Sequence, residues 1–521
     1  MVGKRTIAVG LDGCSWNVLE PLLETGRLPN LAALRERGSS GVLESAVPFF
    51  TGPAWASIAT GCSPASHGIY DFMMLRPDGK LSVAGQSDLR RPTYYHHLGR
   101  DGLRSVLVNL PLDQDGCEGA VIVNSWLTDD PARRLLPADR RERYEPLLRA
   151  YKTFPDDPSN LDELCGIESA RFELARELFL HEEWEHFFVL FSSTDWLGHQ
   201  GTGLFLGGDD GARASFLRLY EQLDSYIGWM LEREPEALVV VLSDHGQCEE
   251  TSVLRVNAVL HELGLVSLEQ SAPDDESPFF VDRRRKARRS IGIPNALGRY
   301  RSHRLVRPFA LAAKKAIRRG LDIEVTRASR RVNFAASSAF SPTDASFAVY
   351  VRESASHEVE RIREALLAVK LPDGRAAIDD VWTPEELYGE AVGDWPPTLL
   401  FSPALGVRPA TALNDGAVSA PRVGGRGCHQ RDGIVFVAGP DVAAGELGRS
   451  SIYDIAPTML WAMGSAVPRG TDGRVLTEAF EPGFVSTHPL TETEPVPVEA
   501  GAPESSGNDE VERRLKALGY I

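Results

Sequence analysis

The sequence has no uninterrupted run of about 18 apolar residues, so no segment reads as a membrane-spanning helix. Cysteine is scarce. The six residues Cys14, Cys62, Cys117, Cys165, Cys248 and Cys428 lie far apart, and none forms a CxxC pair. That excludes the spacing of zinc knuckles and dithiol redox motifs, and a chain of 521 residues needs no disulfide framework. The start, MVGKRTIAVGLDG, has no apolar h-region and no small-residue cleavage site, so the expectation is a cytoplasmic protein with free thiols. No internal repeat is visible. Excess positive charge is also missing. With 56 basic and 73 acidic residues the formal net charge is -17, which argues against specific nucleic-acid binding. Hydrophobic residues at 43% and charged residues at 25% are ordinary values that exclude wholesale disorder.

The positive charge that is present is concentrated. From Arg283 to Arg331 there are 17 Lys or Arg against Asp322 and Glu324, so this stretch carries +15 and the remainder -32. Within it, residues 301–320 read as a basic amphipathic helix with Leu305, Val306, Phe309 and Ile317 on the apolar side and Pro308 as a kink or start. Residues 250–335 are therefore expected to form a basic cap inserted into a core made of residues 1–249 and 336–486. From Thr487 the chain turns rich in Pro, Glu, Ser and Gly, which predicts a flexible tail over 487–521 ending in a short helix.

Short apolar runs recur at residues 6–11, 105–110, 120–123, 186–192, 237–242, 346–351, 398–401 and 433–438. Runs this short and apolar on both faces predict strands of a sheet covered on both sides. Amphipathic stretches at 168–180 and 214–231 lie between them. The alternation predicts an α/β fold with a mostly parallel central sheet and helices on both faces.

Three aspartates follow three of these runs immediately: Asp12, Asp195 and Asp244. Ligands of open α/β sheets bind beyond the carboxyl ends of the strands, and parallel strands bring these carboxylates to one edge. Carboxylates gathered there repel each other unless a cation joins them. His245 directly follows Asp244, and His199 stands four residues after Asp195, on one helical face if a helix starts there. Mixed carboxylate and imidazole ligands suit zinc or manganese better than calcium or magnesium. Thr51 precedes Gly52, Pro53 and the helix-forming AWASIA, which puts its hydroxyl at a helix N-terminus where backbone N–H groups attract phosphate. A cation at that hydroxyl makes it a nucleophile. Singly, each residue has a plainer use: Asp12 in a turn, Asp244 and Thr51 as helix caps, His67 as a structural histidine. Their joint occurrence points to a two-metal site.

These stretches resemble the alkaline phosphatase superfamily, and within it the type I phosphodiesterase/nucleotide pyrophosphatase family. The likeness is carried by IAVGLDG, LPNLAALRERGSSGVLESAVPFFTGPAWASIATGCSPASHGIYDF, STDWLGH, VVLSDHG, GCHQRDGIVFVAGP and SIYDIAPTMLWAMGSAVPRGTDGRVL, in family order, up to about residue 476. The resemblance implies that Asp12, Asp244 and His245 hold one metal with Thr51 at its open position, and that Asp195, His199 and His429 hold the other. Two divalent ions, zinc or manganese, are implied as cofactors. The resemblance implies an asparagine shortly after the H-G-I step for phosphoryl binding in nucleotide pyrophosphatases; here Phe72 stands there. Sulfatases of the superfamily carry a cysteine in C-x-P-x-R, whereas this chain has TGPAW, so sulfate ester hydrolysis is not expected.

The expected activity is hydrolysis of an anionic phosphate ester, a phosphodiester or nucleotide-type pyrophosphate, through a phosphoryl-threonine at Thr51. Two rivals stand beside it. One is another enzyme of the superfamily, a phosphotransferase or a phosphonate hydrolase. The other is a scaffold or peripheral membrane protein that meets anionic lipid through its basic cap.

Overall fold

The computed structural model describes residues 5–76, 81–112, 114–128, 130–270, 330–344, 346–389, 391, 395–411, 413, 418–422, 424–497, 511, 513 and 514. The main sheet contains, in chain order, β1 (Thr6–Leu11), β2 (Ser39–Glu44), β3 (Ser105–Leu110), β4 (Ala120–Asn124), β5 (Leu135–Leu136), β6 (His186–Phe191) and β7 (Leu238–Leu242). A strand outside the sheet, β8 (Gly246–Glu249), follows, and four more form a separate sheet: β9 (Ala339–Phe340), β10 (Ala348–Val351), β11 (Ile378–Trp382) and β12 (Leu399–Pro403). After β13 (Gly427–Gln430), the partner of β8, the main sheet resumes with β14 (Asp432–Ala438) and β15 (Gly445–Ser451).

The nine strands of the main sheet run in the order β15-β2-β14-β7-β1-β6-β3-β4-β5. All run parallel except β14 and the edge strand β5. The expected mostly parallel α/β sheet is therefore what forms. Its runs are apolar throughout because both faces are covered: Ile7, Val9, Phe187, Val189, Val239 and Val241 enter one apolar cluster, while Ala8, Phe188, Leu190 and Val240 enter another. Helix α1 (Thr51–Thr60) packs on the second face. On the first face lie α2 (Leu161–His181), α3 (Ser193–Leu206) and α4 (Asp210–Arg233), which contain both predicted amphipathic stretches.

Two of the predicted runs belong elsewhere. The runs at 346–351 and 398–401 become β10 and β12, which pair antiparallel with each other in the four-stranded sheet, over their own apolar cluster. An apolar run reports burial, not which sheet buries it. The basic helix expected at 301–320, with nearly all of the Arg283–Arg331 stretch, lies outside the described residues. The two ends of that excursion are held together, since Leu268–Gln270 pairs antiparallel with Arg330–Val332. Leu265, Val266 and Val332 at its root share one apolar cluster with Val47 and Phe49, just ahead of Thr51. Part of the segment expected to be a flexible tail is docked: the Trp461 indole donates to the His488 carbonyl at 2.8 Å, and Glu492–Thr493 pairs with Val467–Pro468. Among the described residues, no helix is long and apolar enough to cross a membrane.

Candidate active site

The topology explains why one edge of the sheet collects polar residues. Parallel strands β1, β6 and β7 deliver Asp12, the start of α3 and Asp244 at their carboxyl ends. Strand β14 runs the other way, so the residues that precede it, His429 included, arrive at the same edge. Thr51 is the first residue of α1, with Pro53 in the first turn as expected. Asp195 and His199 lie on α3, one turn apart. All seven predicted side chains meet there.

They form two groups. In the first, His245 Nε2 lies 3.3 Å from Asp244 Oδ2 and 3.9 Å from Asp12 Oδ1, with the Thr51 hydroxyl 3.4 Å from the same nitrogen. In the second, the Nε2 atoms of His199 and His429 are 2.9 Å apart, and both face Asp195 Oδ1, at 3.4 and 3.5 Å. The groups adjoin: the His245 and His429 ring centroids are 4.0 Å apart, and His245 is within reach of Asp195 as well. Geometry alone therefore leaves His245 open to either group.

The electrostatics asks for positive charge. Burial, reinforced by the charges of Asp244 and Asp195, pushes the Asp12 carboxyl well above its ordinary range. Burial, with the charge of Asp195 adding to it, raises Asp244 to about 7. Asp12 Oδ1 and Asp244 Oδ2 are buried and meet no hydrogen-bond donor. The histidines are neutral: burial lowers His199 and His245 to about 4 and also lowers His429. Carbonyls only accept, so Gly427 O, 3.3 Å from His199 Nδ1, and Gly246 O, 3.1 Å from His245 Nδ1, place the single ring proton on Nδ1. Each Nε2 then presents a lone pair. Donor atoms around a tetrahedral zinc at about 2.0–2.2 Å are spaced by roughly 3.3–3.5 Å. In the second group both distances to Asp195 Oδ1 are of that size, while the two Nε2 atoms stand closer, at 2.9 Å. Buried carboxylates with neutral imidazoles in two adjoining groups are therefore a donor set suited to divalent cations.

The sequence profile described as type I phosphodiesterase/nucleotide pyrophosphatase matches residues 6–415. The chain belongs to this family. Solved structures share the fold. Phosphonoacetate hydrolase from Sinorhizobium meliloti 1021, in complex with phosphonoformate, aligns with a TM-score of 0.54 and 17% identity over 89% of this chain and 96% of that one. Murine ectonucleotide pyrophosphatase/phosphodiesterase 5 aligns at 0.50 and 13%, with the same coverage, and so does the human protein. Family and fold place this family member among the phosphoester hydrolases of the alkaline phosphatase superfamily.

Two features of the site, Gln247 with Gly198 and Glu168, carry no sequence signal of their own, and a third, Phe72, stands out only through the resemblance. Gln247 is buried, and its amide donates to Asp195 Oδ1 at 2.6 Å and to the Asp195 carbonyl at 2.9 Å, while Thr202 Oγ1 donates to Gln247 Oε1 at 3.0 Å. A Cβ on Gly198 would stand 1.7 Å from Gln247 Oε1, so only glycine lets this side chain pass α3. Glu168 on α2 accepts the Ser193 N–H at 2.8 Å, at the start of α3, and is paired with buried Arg171. Phe72 lies against the first turn of α1: a Cβ on Gly52 would touch its ring at 3.1 Å, and its edges meet Phe50 and Trp126. The wall beside Thr51 is therefore aromatic at this point.

Gln247→Ala is expected to keep the fold and to weaken metal binding about 10–100-fold, the usual cost of losing a partner that orients a ligand. Chelator competition on the purified variant measures this. An unchanged affinity would mean that Asp195 is held by α3 alone.

Proposed function

We propose that the protein hydrolyses phosphate esters of the phosphodiester or nucleotide pyrophosphate type, with Thr51 as nucleophile. The observation that carries this reading is the Thr51 hydroxyl at the head of α1, 3.4 Å from His245 Nε2 and beside two groups of neutral imidazoles and buried carboxylates. Asp12, Asp244 and His245 would hold one divalent ion, and Asp195, His199 and His429 the other, with zinc preferred to manganese by the donor set. When bound, the ions supply positive charge that acidifies the Thr51 hydroxyl and neutralises the departing oxygen. Thr51 loses its proton and attacks phosphorus in line with the leaving group, and water then frees the phosphoryl group from Thr51. The α1 N-terminus orients the phosphate oxygens through its backbone dipole.

A second reading is hydrolysis of a phosphonate: Phe72 at Gly52 leaves out the side-chain hydrogen bond implied for nucleotide pyrophosphatases, and phosphonoacetate hydrolase shares the fold. A panel of chromogenic phosphomonoesters, phosphodiesters and phosphonates, assayed with added zinc or manganese, separates the two. Fastest turnover of the diester supports the first reading. A preference for the phosphonate moves the assignment to the second.

The +15 stretch is assigned to drawing anionic substrate toward an otherwise acidic protein, since its root packs with Val47 and Phe49 ahead of Thr51. Replacing Arg283, Arg284, Arg285, Lys286, Arg288 and Arg289 with glutamine is expected to lower kcat/KM at low salt. It should also flatten the salt dependence, since screening acts beyond about 8–10 Å. An unchanged salt profile together with lost binding to anionic liposomes would move this stretch to a membrane-contact role and leave the catalytic assignment intact.

A further inference from the structure

Cys248 and Cys428 stand directly opposite each other in the β8–β13 ladder. Both are buried, and their Sγ atoms are 3.6 Å apart. Among the described residues no other pair of cysteines comes within hydrogen-bond distance. The next pair in the same ladder is Gln247 opposite His429. Two thiols thus sit one residue from the side chain that holds Asp195 and one residue from a proposed metal ligand. Cys248 Sγ also lies 4.0 Å from the His429 carbonyl.

We propose that Cys248 and Cys428 form a reversible disulfide whose closure weakens cation binding at Asp195, His199 and His429. Directly opposite residues of an antiparallel pair have Cα atoms about 4.5–5.5 Å apart, inside the span of about 4.4–6.8 Å that a disulfide bridges. Their Cβ atoms are normally about 4.5–5.5 Å apart, whereas a disulfide draws them to about 3.8 Å. Closure therefore pulls the two strands together at this rung. The neighbouring rung must follow, and it carries His429 and Gln247. In a cluster whose donor atoms are spaced 2.9–3.5 Å, a shift of several tenths of an ångström removes the fit.

Hydrogen peroxide is small enough to reach buried sulfur and supplies the oxidant. One cysteine thiolate attacks the peroxide, forming a sulfenic acid and releasing water. The second thiol then displaces the sulfenic hydroxyl as a second water. Two thiols and one peroxide give one disulfide and two waters, with the cysteines oxidised and the peroxide reduced. Thiols of the reducing pool restore the pair by exchange. The linkage stands on the thiol geometry, while its effect on the cation rests on the role proposed for His429.

The test uses the full chain loaded with zinc and treated with hydrogen peroxide. The expected result is a mass lower by two hydrogens and a proteolytic fragment in which Cys248 and Cys428 are joined. Zinc affinity by chelator competition should fall at least about tenfold, with recovery on adding dithiothreitol. Cys248→Ala and Cys428→Ala, prepared in parallel so that either alone suffices, should bind zinc normally and lose the peroxide response. Absence of the joined fragment overturns the disulfide. A joined fragment with unchanged zinc affinity overturns the coupling. If the reduced protein binds no zinc, the metal reading fails instead, and the joined fragment still decides the disulfide.

Discussion

Thr51→Ala is expected to leave metal content unchanged and to lower kcat by roughly 10⁴–10⁶-fold, the range seen when a nucleophile that acts as part of a unit is removed. The hydroxyl is buried at the first position of α1, and His245 Nε2 is its hydrogen-bond neighbour. The methyl group of alanine preserves the helix start and the packing around it, so the loss isolates the oxygen. Thr51→Ser, which keeps the hydroxyl, should retain part of the rate. Stopped-flow or steady-state assays with metal analysis of the same samples decide it. Full activity in the alanine variant would show that water, not Thr51, attacks phosphorus.

The second large effect concerns the two ligand groups separately. His429→Ala should lose the cation held with Asp195 and His199. Asp244→Ala and His245→Ala should lose the one beside Thr51. Removing a direct ligand weakens binding by more than the 10–100-fold typical of an orienting partner. In Asp244→Ala the loss has an added cause. Asp12 and Asp244 each hold a buried oxygen without a donor, so either carboxylate left alone keeps the demand for charge but has fewer donors to meet it. Metal analysis with turnover measures all three variants. If His429→Ala retains its full metal complement and full rate, the assignment of His429 to the second group is wrong, and His245, which lies within reach of Asp195, takes its place.

Much of this centre is legible before any coordinates. The strands that lead to Asp12, Asp195 and Asp244 show themselves because burial on both faces leaves unbroken apolar runs. The α1 start shows itself through Thr51, Gly52 and Pro53. Other parts are silent for physical reasons. Strands β2 and β15, SSGVLE and GELGRSS, are rich in serine and glycine, and become strands only because they pair with each other and, through β2, with β14. His429 precedes a strand, and such a residue reaches the carboxyl edge only if that strand runs antiparallel, a direction no local pattern reveals. Its part in the site came from family resemblance. Gln247 acts on Asp195 from 52 positions away, across a gap that only folding closes.

The placement of β2 governs how the protein comes into being. Its neighbours are β14 and β15, so a segment complete by residue 44 waits for residues from 432 onward before it can pair. At roughly 5–20 residues per second of synthesis, that interval is about 20–80 s. Throughout it, the β2 segment beside α1 has backbone groups with no partner, which makes it a point where a nascent chain is exposed to sticking to its neighbours on the polysome. His429, the last of the seven site residues to leave the ribosome, arrives in the same moment. With the site proposed for His429, its assembly and the closure of the sheet are a single late event, so an unfinished polypeptide would carry no phosphoesterase that acts before its fold is complete.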